Sequence, residues 1–364
     1  MVIKKMIFTV LISFSTLYFS CDAQAIMIIM LGDIHYDLLD DHDMTWLRTK
    51  PDDLRQVTKE YTVNTAKNWN DFVEIISKVA EQKDDTAEVI LQVGDLSEGL
   101  AGSPEKADVM ASHAMEAIEK THIHSTWLLV KGNHDITGPG APDAFLEYYI
   151  PMIQKQTKNK EIKSANYSYS FGNVQITCVD PWDKSIDIVD FLDKELSGSN
   201  AAVKFVAIHE PVIPVTERCW NVLRNEPARR QKLLDVIAKN KAIVLCGHLH
   251  RYSVVRRNTD HGPIVQIMAV SVISDRNYLV PAKVITKYGP SLVDNVPQWE
   301  PATASKRKAW LTEESKYVTY YKQTDLPGYA VFKIDPSGRN IIMEYYAAFG
   351  TKPYDVVNIS ELMK

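Results

Sequence analysis

The stretch IMIIMLGDIH, at residues 26–35, decides the fold. It opens with six consecutive apolar residues, and that length followed by Gly32 favours a buried strand over a helix. Asp33 and His35 come directly after the glycine. Two residue types that bind metal ions therefore stand at the point where a buried strand ends.

Four further segments place such residues directly after an apolar run. Each segment taken alone is also compatible with an ordinary turn, because glycine, asparagine and aspartate are common in turns. Loops at the carboxyl ends of parallel strands converge on one edge of a sheet, so five such segments together predict one two-metal hydrolytic site. The four segments are Gly94-Asp95, Gly132-Asn133-His134-Asp135, His209-Glu210-Pro211 and Gly247-His248-Leu249-His250.

Apolar runs and helical periodicities alternate through the first two thirds of the chain. Strands are predicted at residues 26–31, 88–93, 126–130, 203–208 and 242–246, with a hairpin over residues 167–179. Helices are predicted around residues 69–80 and at residues 106–120, 187–196 and 229–238. Alternation of this kind, followed by hairpins, predicts an α/β sandwich with mixed sheets.

Residues 256–364 are predicted to close this sandwich. Apolar runs at residues 264–272, 329–334 and 340–346 predict strands of an antiparallel closing sheet. Residues 278–326 show no clear period and are too long for a simple connection. They either form a lid over the site or pack against a face of the sandwich, and packing is the favoured interpretation.

Residues 1–25 have the features of an export signal. Lys4 and Lys5 precede an apolar run over residues 6–19, which is too short to favour a membrane-spanning helix. Two processing routes are open: cleavage after the Ala23-x-Ala25 motif, or attachment of a lipid anchor at Cys21 as in a bacterial lipoprotein. The sequence therefore predicts an exported protein that is periplasmic, held at the cell surface or secreted, with residues 26–364 as its domain.

The composition is that of an ordinary globular protein, with 45% hydrophobic and 24% charged residues. Its net charge of −5 argues against a nonspecific nucleic-acid binder, which is normally basic. An acidic balance does not exclude a phosphate substrate, because bound metal cations supply a local positive field.

In order and type, the five segments resemble the signature of the calcineurin-like metallophosphoesterase family over about residues 26–255. The resemblance implies a two-sheet mixed β-sandwich flanked by helices in four layers, with a dinuclear metal centre at the strand ends. By position, Asp33, His35 and His250 would bind the first metal, and Asn133, His209 and His248 the second. Asp95 would bridge the two.

The resemblance also implies two catalytic residues that bind no metal. His134 would donate a proton to the leaving group or stabilise its charge, and Asp135 would hydrogen-bond to the His134 ring. An N-cap is the structural alternative for Asp135. The mixed nitrogen and oxygen ligands fit manganese, iron, zinc or nickel, and the sequence does not choose among them.

The predicted function is therefore metal-dependent hydrolysis of phosphomonoesters or phosphodiesters by a hydroxide that bridges the metals. Two alternatives are a nuclease of the same family, which the acidic charge disfavours, and a non-catalytic surface binding protein, which would show a broken ligand set. Arg218, Arg224 and Arg251 lie near the motif loops and either bind a substrate group or are solvated surface charges, the favoured interpretation. The sequence leaves the oligomeric state and the natural substrate open.

Overall fold

The computed structural model describes residues 25–82, 85–271 and 277–364. The predicted export signal, including Cys21, lies outside these residues apart from Ala25, so its role stays a prediction. Among the helices in the described ranges, none has both the length and the apolar character required to cross a membrane.

Two mixed sheets form the centre of the protein. The first consists of β1 (Ile26–Leu31), β2 (Glu81–Gln82), β3 (Asp85–Gln92), β4 (Thr126–Leu129), β13 (Gly328–Ile334), β14 (Ile341–Ala347) and β15 (Asp355–Asn358). Its strands follow the order β15-β14-β13-β1-β3, and both β2 and β4 pair with β3. Within it, β1, β3 and β4 are parallel, so their carboxyl ends face the same edge.

The second sheet has the order β11-β12-β9-β10-β8-β7-β6-β5. Its strands are β5 (Tyr167–Phe171), β6 (Val174–Val179), β7 (Val203–Ile208), β8 (Ile243–Cys246), β9 (Tyr252–Thr259), β10 (Gly262–Met268), β11 (Val284–Ile285) and β12 (Val318–Thr324). Here β6, β7, β8 and β10 are parallel, and the remaining pairings are antiparallel.

Helices cover the outer faces of the two sheets. The α-helices are α1 (Met44–Leu47), α2 (Pro51–Gln56), α3 (Thr62–Ala80), α4 (Pro104–Glu119), α5 (Ala141–Ala144), α6 (Ile150–Thr157), α7 (Ile188–Ser197), α8 (Pro227–Lys239), α9 (Ser291–Asp294), α10 (Ala304–Glu314) and α11 (Ile359–Leu362). Short 3-10 turns lie at Leu39–Asp41, His134–Ile136 and Pro301–Thr303, and π-helical turns at Val57–Tyr61 and Phe145–Tyr149. Helices α3 and α6 contact the first sheet, and α7 and α8 contact the second.

Strand β7 shows why the sequences of the central strands are unbroken apolar runs. Alternate side chains of a strand point to opposite faces. Phe205 packs inward, where its ring meets Phe332 of the first sheet at 5.5 Å, while Val206 and Ile208 join the core under α7 and α8. Both faces of the strand are buried, so an apolar residue is favoured at almost every position. The predicted α/β class and two-sheet sandwich flanked by helices are confirmed.

The prediction of a single antiparallel closing sheet is wrong. Strand β10 pairs with β8 and β9 in the second sheet, whereas β13 pairs with β1 in the first. Apolar content and length predict the existence of these strands, but they carry no information about which sheet edge each one extends.

Residues 278–326 pack on the second sheet rather than hanging free. Strand β12 pairs with β9, and Leu311 of α10 lies in the apolar core beside α8. Glu314, at the end of α10, accepts two hydrogen bonds from Arg230 of α8, both at 3.1 Å, and one from Arg257 of β9 at 2.5 Å. These three side chains are at most 9% exposed, so they form a buried ionic triad.

We expect Glu314→Ala to lower the free energy of unfolding by about 3–5 kcal/mol, because it leaves two buried guanidinium groups without their carboxylate. Glu313→Ala is the matched control, since the exposed Glu313–Lys316 pair should be worth less than about 1 kcal/mol. Urea denaturation of both variants measures the difference. Equal effects would show that the triad does not hold residues 278–326 to the sheet.

Candidate metal centre

The structure brings the five predicted segments together at one edge of the sandwich. Asp33 donates its backbone N–H to the Gly94 carbonyl at 3.2 Å, and His35 donates to the Asp95 carbonyl at 3.0 Å. The backbone N–H of His248, from the second sheet, donates to Asp33 Oδ1 at 2.7 Å. Loops that leave different sheets are therefore tied to each other directly.

One group of donor atoms gathers around the first segment. Asp33, His35, Asp95 and His250 each place a ligand atom so that all four lie within 4.8 Å of one another. His35 Nε2 is 3.1 Å from His250 Nε2, and His250 Nε2 is 3.6 Å from Asp33 Oδ1. These are the residues that the resemblance assigns to the first metal and the bridge.

A second group shares Asp95 with the first. Asp95, His209 and His248 place ligand atoms within 4.8 Å of one another. His209 Nε2 lies 3.0 Å from Asp95 Oδ2 and 3.2 Å from both Asn133 Oδ1 and His248 Nδ1. One carboxylate common to both groups is the arrangement that a dinuclear centre requires.

Several of these atoms are hydrogen-bond acceptors that face other acceptors, an arrangement that suits a bound cation. His209 Nδ1 donates to the Val93 carbonyl at 2.9 Å, so in the neutral ring Nε2 is a lone pair that faces the oxygens of Asp95 and Asn133. Asp33 Oδ2 is buried and accepts no hydrogen bond from any described residue. Acceptors that face each other repel unless a cation lies between them, which supports a metal at this position.

Three of the imidazoles are held in the neutral form that binds metals. Burial lowers the pKa of His35 well below its usual value. Burial, together with neighbouring imidazoles, lowers the pKa of His248 to about 3 and that of His250 to about 4. A neutral ring offers a lone pair, so low pKa values favour metal binding near neutral pH.

His209 behaves differently because it contacts a carboxylate. Burial acts to lower the pKa of His209, but Asp95 raises it to about 9. Burial likewise opposes ionisation of Asp95, yet His209 and His134 hold the pKa of Asp95 well below its usual value. Burial raises the pKa of Asp33 to about 7. A metal ion therefore competes with protons at His209 and Asp33, so binding near neutral pH should release protons.

Most of the ligand-type residues have a left-handed backbone, which is uncommon outside glycine. Each such residue costs on the order of 1 kcal/mol and usually marks a functional site. The residues and their φ angles are Asp33 at 47°, His35 at 47°, Asp95 at 55°, His248 at 76° and His250 at 49°. The local conformation at the strand ends is therefore set by the site rather than by backbone preference.

Glycines in the motifs allow the loops to approach closely. A Cβ on Gly94, whose φ is +100°, would lie 2.3 Å from His209 Nδ1. A Cβ on Gly132 would lie 2.1 Å from the backbone nitrogen and from Oδ1 of Asp95. Any larger residue would push a ligand-type side chain out of position, which explains why glycine precedes these residues.

Glu98 supports both His35 and His134, and sequence reasoning missed it. Its Oε2 lies 2.6 Å from His35 Nδ1 and 3.5 Å from His134 Nδ1, and its carbonyl accepts a hydrogen bond from His134 Nδ1 at 2.8 Å. Burial acts to lower the pKa of His134, but Glu98 and Asp95 raise it well above its usual value. The signal available in the sequence was a carboxylate three residues after Asp95.

The prediction that Asp135 holds the His134 ring is wrong. The Asp135 carboxylate accepts backbone hydrogen bonds from Gly132 at 2.8 Å and from Asp95 and Ser97, both at 3.0 Å. The N-cap alternative is wrong as well, because Asp135 lies inside the short 3-10 turn and Asn133 precedes it at the cap. Asp135 therefore fastens the loop of His134 to the loop of Asp95.

A cavity of about 420 Å³ opens onto the donor atoms. Five predicted site residues belong to its lining: Asp95, Asn133, His134, His248 and His250. The other lining residues, called its outer wall from here on, are Gln56, Glu60, Tyr61, Glu217, Arg218, Trp220, Leu249 and Arg251. A substrate of modest size can therefore reach the predicted ligands and His134 from solvent.

Residues 26–261 match the family model described as calcineurin-like phosphoesterase, and the chain belongs to this family. The chain is thus a hydrolase of the class that acts on phosphoester bonds. The family and the two donor groups together indicate a dinuclear metal site.

Several solved structures are similar to this chain at low sequence identity. A dimetal phosphatase from Danio rerio is 11% identical with a TM-score of 0.52, and the match covers 93% of this chain and 99% of that one. GAP50, described as the anchor in the inner membrane complex of Plasmodium, is 11% identical with a TM-score of 0.50. The match covers 92% of this chain and 89% of that one. PhoD is 10% identical with a TM-score of 0.48, and the match covers 93% of this chain and 69% of that one. A comparison with curated protein sequences returned no match.

We expect the purified protein to bind two metal ions per chain, and His209→Ala to bind about one because only the second donor group loses a nitrogen. His261→Ala removes an imidazole from an exposed turn and should keep both ions. Elemental analysis of protein dialysed against a fixed metal concentration gives the stoichiometry. Equal metal content in both variants would contradict the assignment of His209.

We expect Glu98→Gln to lower kcat by about 10- to 100-fold, because a residue that orients a metal ligand typically contributes that much. The change keeps the size of the side chain but removes the negative charge beside His35 and His134. Steady-state kinetics combined with circular dichroism separates this loss from misfolding. Unchanged kcat in a folded variant would show that Glu98 does not orient either ring.

Proposed function

We propose that the protein is an exported, metal-dependent phosphoesterase that hydrolyses small phosphomonoesters or phosphodiesters. The observation that carries this proposal is the pair of donor groups that share Asp95 at the floor of an open cavity. One metal ion would be held by Asp33, His35 and His250. The other would be held by Asn133, His209 and His248, and Asp95 would contribute to both sites. When bound, two such ions activate a water molecule and stabilise the charge on the phosphate oxygens.

His134 is proposed as the group that acts on the leaving alcohol. Its Nδ1 donates to the Glu98 carbonyl, so Nε2 is the ring nitrogen left to face a substrate in the cavity. A raised pKa keeps the ring protonated near neutral pH, and a protonated ring can donate to the leaving oxygen. Glu98 orients the ring, and Asp135 holds the loop that carries it.

The two alternatives from the sequence find less support. A non-catalytic role is compatible with the fold, because GAP50 is described as an anchor. In this chain, however, a complete set of ligand types converges at the cavity, which an anchoring role does not require. A nuclease would be expected to carry a basic groove, whereas the chain has a net charge of −5.

Export is proposed from the sequence of residues 1–25 alone. Lipidation at Cys21 would place the site at a membrane surface, and cleavage after Ala25 would release a soluble domain. Mass spectrometry of the mature protein distinguishes a lipidated Cys21 from an N-terminus at Ile26.

We expect p-nitrophenyl phosphate or bis-p-nitrophenyl phosphate to be hydrolysed in a metal-dependent manner, and His134→Ala to lower kcat by about 100- to 10,000-fold while metal content is retained. The reason is that His134 contacts the leaving group rather than a metal. Steady-state assays and elemental analysis on the same preparation test this. His124→Ala, at an exposed position, is the control for loss of an imidazole.

The assay has two outcomes that contradict the proposal. Absence of turnover in protein that holds two metal ions would argue for a non-catalytic role. Full turnover in His134→Ala would exclude His134 from the reaction while leaving the metal centre in place.

A further inference from the structure

The outer wall of the active-site cavity carries an arginine that the reaction described above does not use. Arg218 and Trp220 lie in the loop between β7 and α8, and both side chains are half-buried. Both residues line the cavity but neither is a predicted metal ligand. The Trp220 ring lies 5.4 Å from the ring of His248. The wall is thus adjacent to the second donor group.

Two tryptophans hold the Arg218 guanidinium in place. Its carbon Cζ lies 5.1 Å from the Trp220 ring centre and 5.8 Å from that of Trp299, and the two indole rings contact each other at 5.8 Å. A guanidinium that stacks on an aromatic ring uses its flat face, so its N–H groups remain available in the plane. Within residues 25–82, 85–271 and 277–364, no carboxylate pairs with Arg218 and no group accepts a hydrogen bond from its side chain.

Two neighbouring arginines, Arg307 and Arg251, do not share this property. A third, Arg224, also lies over the Trp220 ring at 6.0 Å, but it is exposed and is not in the lining of this cavity. Arg307 also stacks on Trp299, at 4.5 Å, but it donates to the backbone carbonyls of Glu217, Trp299 and Glu300. Arg251 donates to the carbonyl of His250 at 2.9 Å. Arg218 therefore lies between two indole rings in the cavity wall, with its donors open to the cavity and available to a ligand.

A smaller cavity of about 210 Å³ continues on the other side of this wall. Arg218 and Trp220 line both cavities, and Arg224 and Lys306 add positive charge to the second one. Glu300 is the acidic residue in its lining. In the larger cavity the carboxylates beyond Asp95 belong to Glu60, which pairs with Arg55, and to Glu217. An anionic group at Arg218 thus meets a basic surface on its far side.

We propose that Arg218 binds a second anionic group of the substrate, located on the alcohol that leaves when the phosphate at the metal centre is hydrolysed. The preferred substrates are then phosphoesters whose alcohol carries a carboxylate or a further phosphate. Trp220 and Trp299 position the guanidinium, whose two parallel N–H groups match the paired oxygens of such anions. This inference rests on the proposed phosphoesterase activity and specifies its substrate class.

The test compares kcat/KM for phenyl phosphate, 4-carboxyphenyl phosphate and 1,4-phenylene bisphosphate in the wild-type protein, Arg218→Gln and Arg218→Lys. We expect Arg218→Gln to lower the ratio of kcat/KM for either charged substrate to that for phenyl phosphate by about 10- to 100-fold, the range of a hydrogen bond to a charged group. The three substrates differ in intrinsic reactivity, but this difference cancels when the ratios of two protein variants are compared, because every variant is assayed with the same substrates. The two charged substrates distinguish a carboxylate site from a phosphate site.

Arg339→Gln is the matched control, because Arg339 is exposed in the turn between β13 and β14, away from both cavities. Its ratios should equal those of the wild type. Arg218→Lys keeps the charge but loses the paired geometry, so it should recover only part of the selectivity. Equal ratios in wild type and Arg218→Gln would overturn the inference. Absence of any turnover would instead contradict the phosphoesterase proposal itself.

A binding measurement gives a second readout that does not depend on turnover. Calorimetric titration with phenylphosphonate and 4-phosphonobenzoate, which are not hydrolysed, should show tighter binding of the carboxylate compound by about 10-fold in the wild type and no difference in Arg218→Gln. Equal affinities in the wild type would place the carboxylate in solvent and overturn the inference. Circular dichroism of each variant controls for misfolding.

Discussion

The structure depends on an electrostatic constraint at one edge of the sandwich. Two buried carboxylates and four imidazoles lie so close that their ligand atoms fall within two groups, each less than 5 Å across. Burying acceptors that face each other is unfavourable unless positive charge compensates them. The left-handed backbone at Asp33 and Asp95 and the glycines beside them all serve to bring these atoms together. Bound metal ions would therefore stabilise this edge of the fold.

The site could be predicted from the sequence more completely than its surroundings. Strand ends such as Gly32-Asp33 and Gly94-Asp95 carry the chemistry in residues that are adjacent in the chain, so the pattern is visible locally. The partner of His134 was assigned to Asp135 because the two are neighbours in sequence. The structure instead places Glu98 there, because a turn of the backbone directs the Asp135 carboxylate towards the N–H groups of Gly132 and Asp95.

For the fold, too, features set by neighbouring residues could be predicted, whereas features set by residues far apart in the chain could not. Length and apolar content predict β1, β7 and the hairpin of β5 and β6, since those elements are set by their own residues. They do not predict that β10 and β13 belong to different sheets, because the choice of sheet edge depends on packing partners far along the chain. Residues 278–326 show no clear period, because α10 is short and is held both by the buried Leu311 and by the ion pairs of Glu314 with Arg230 and Arg257.

The wall formed by Trp220 and Trp299 lies outside the five motif segments, although Trp220 shares the loop after β7 with His209. If Arg218 binds the substrate as proposed, the residues that select the substrate would differ from the residues that hold the metal ions, even where both stand in the same loop. Because the Trp220 ring lies 5.4 Å from the ring of His248, a substitution at Trp220 would reach the second donor group as well as the wall. A substitution at Arg218 alone would separate the two effects, because Arg218 contacts the indole rings and has no hydrogen bond to a ligand-type residue among those described.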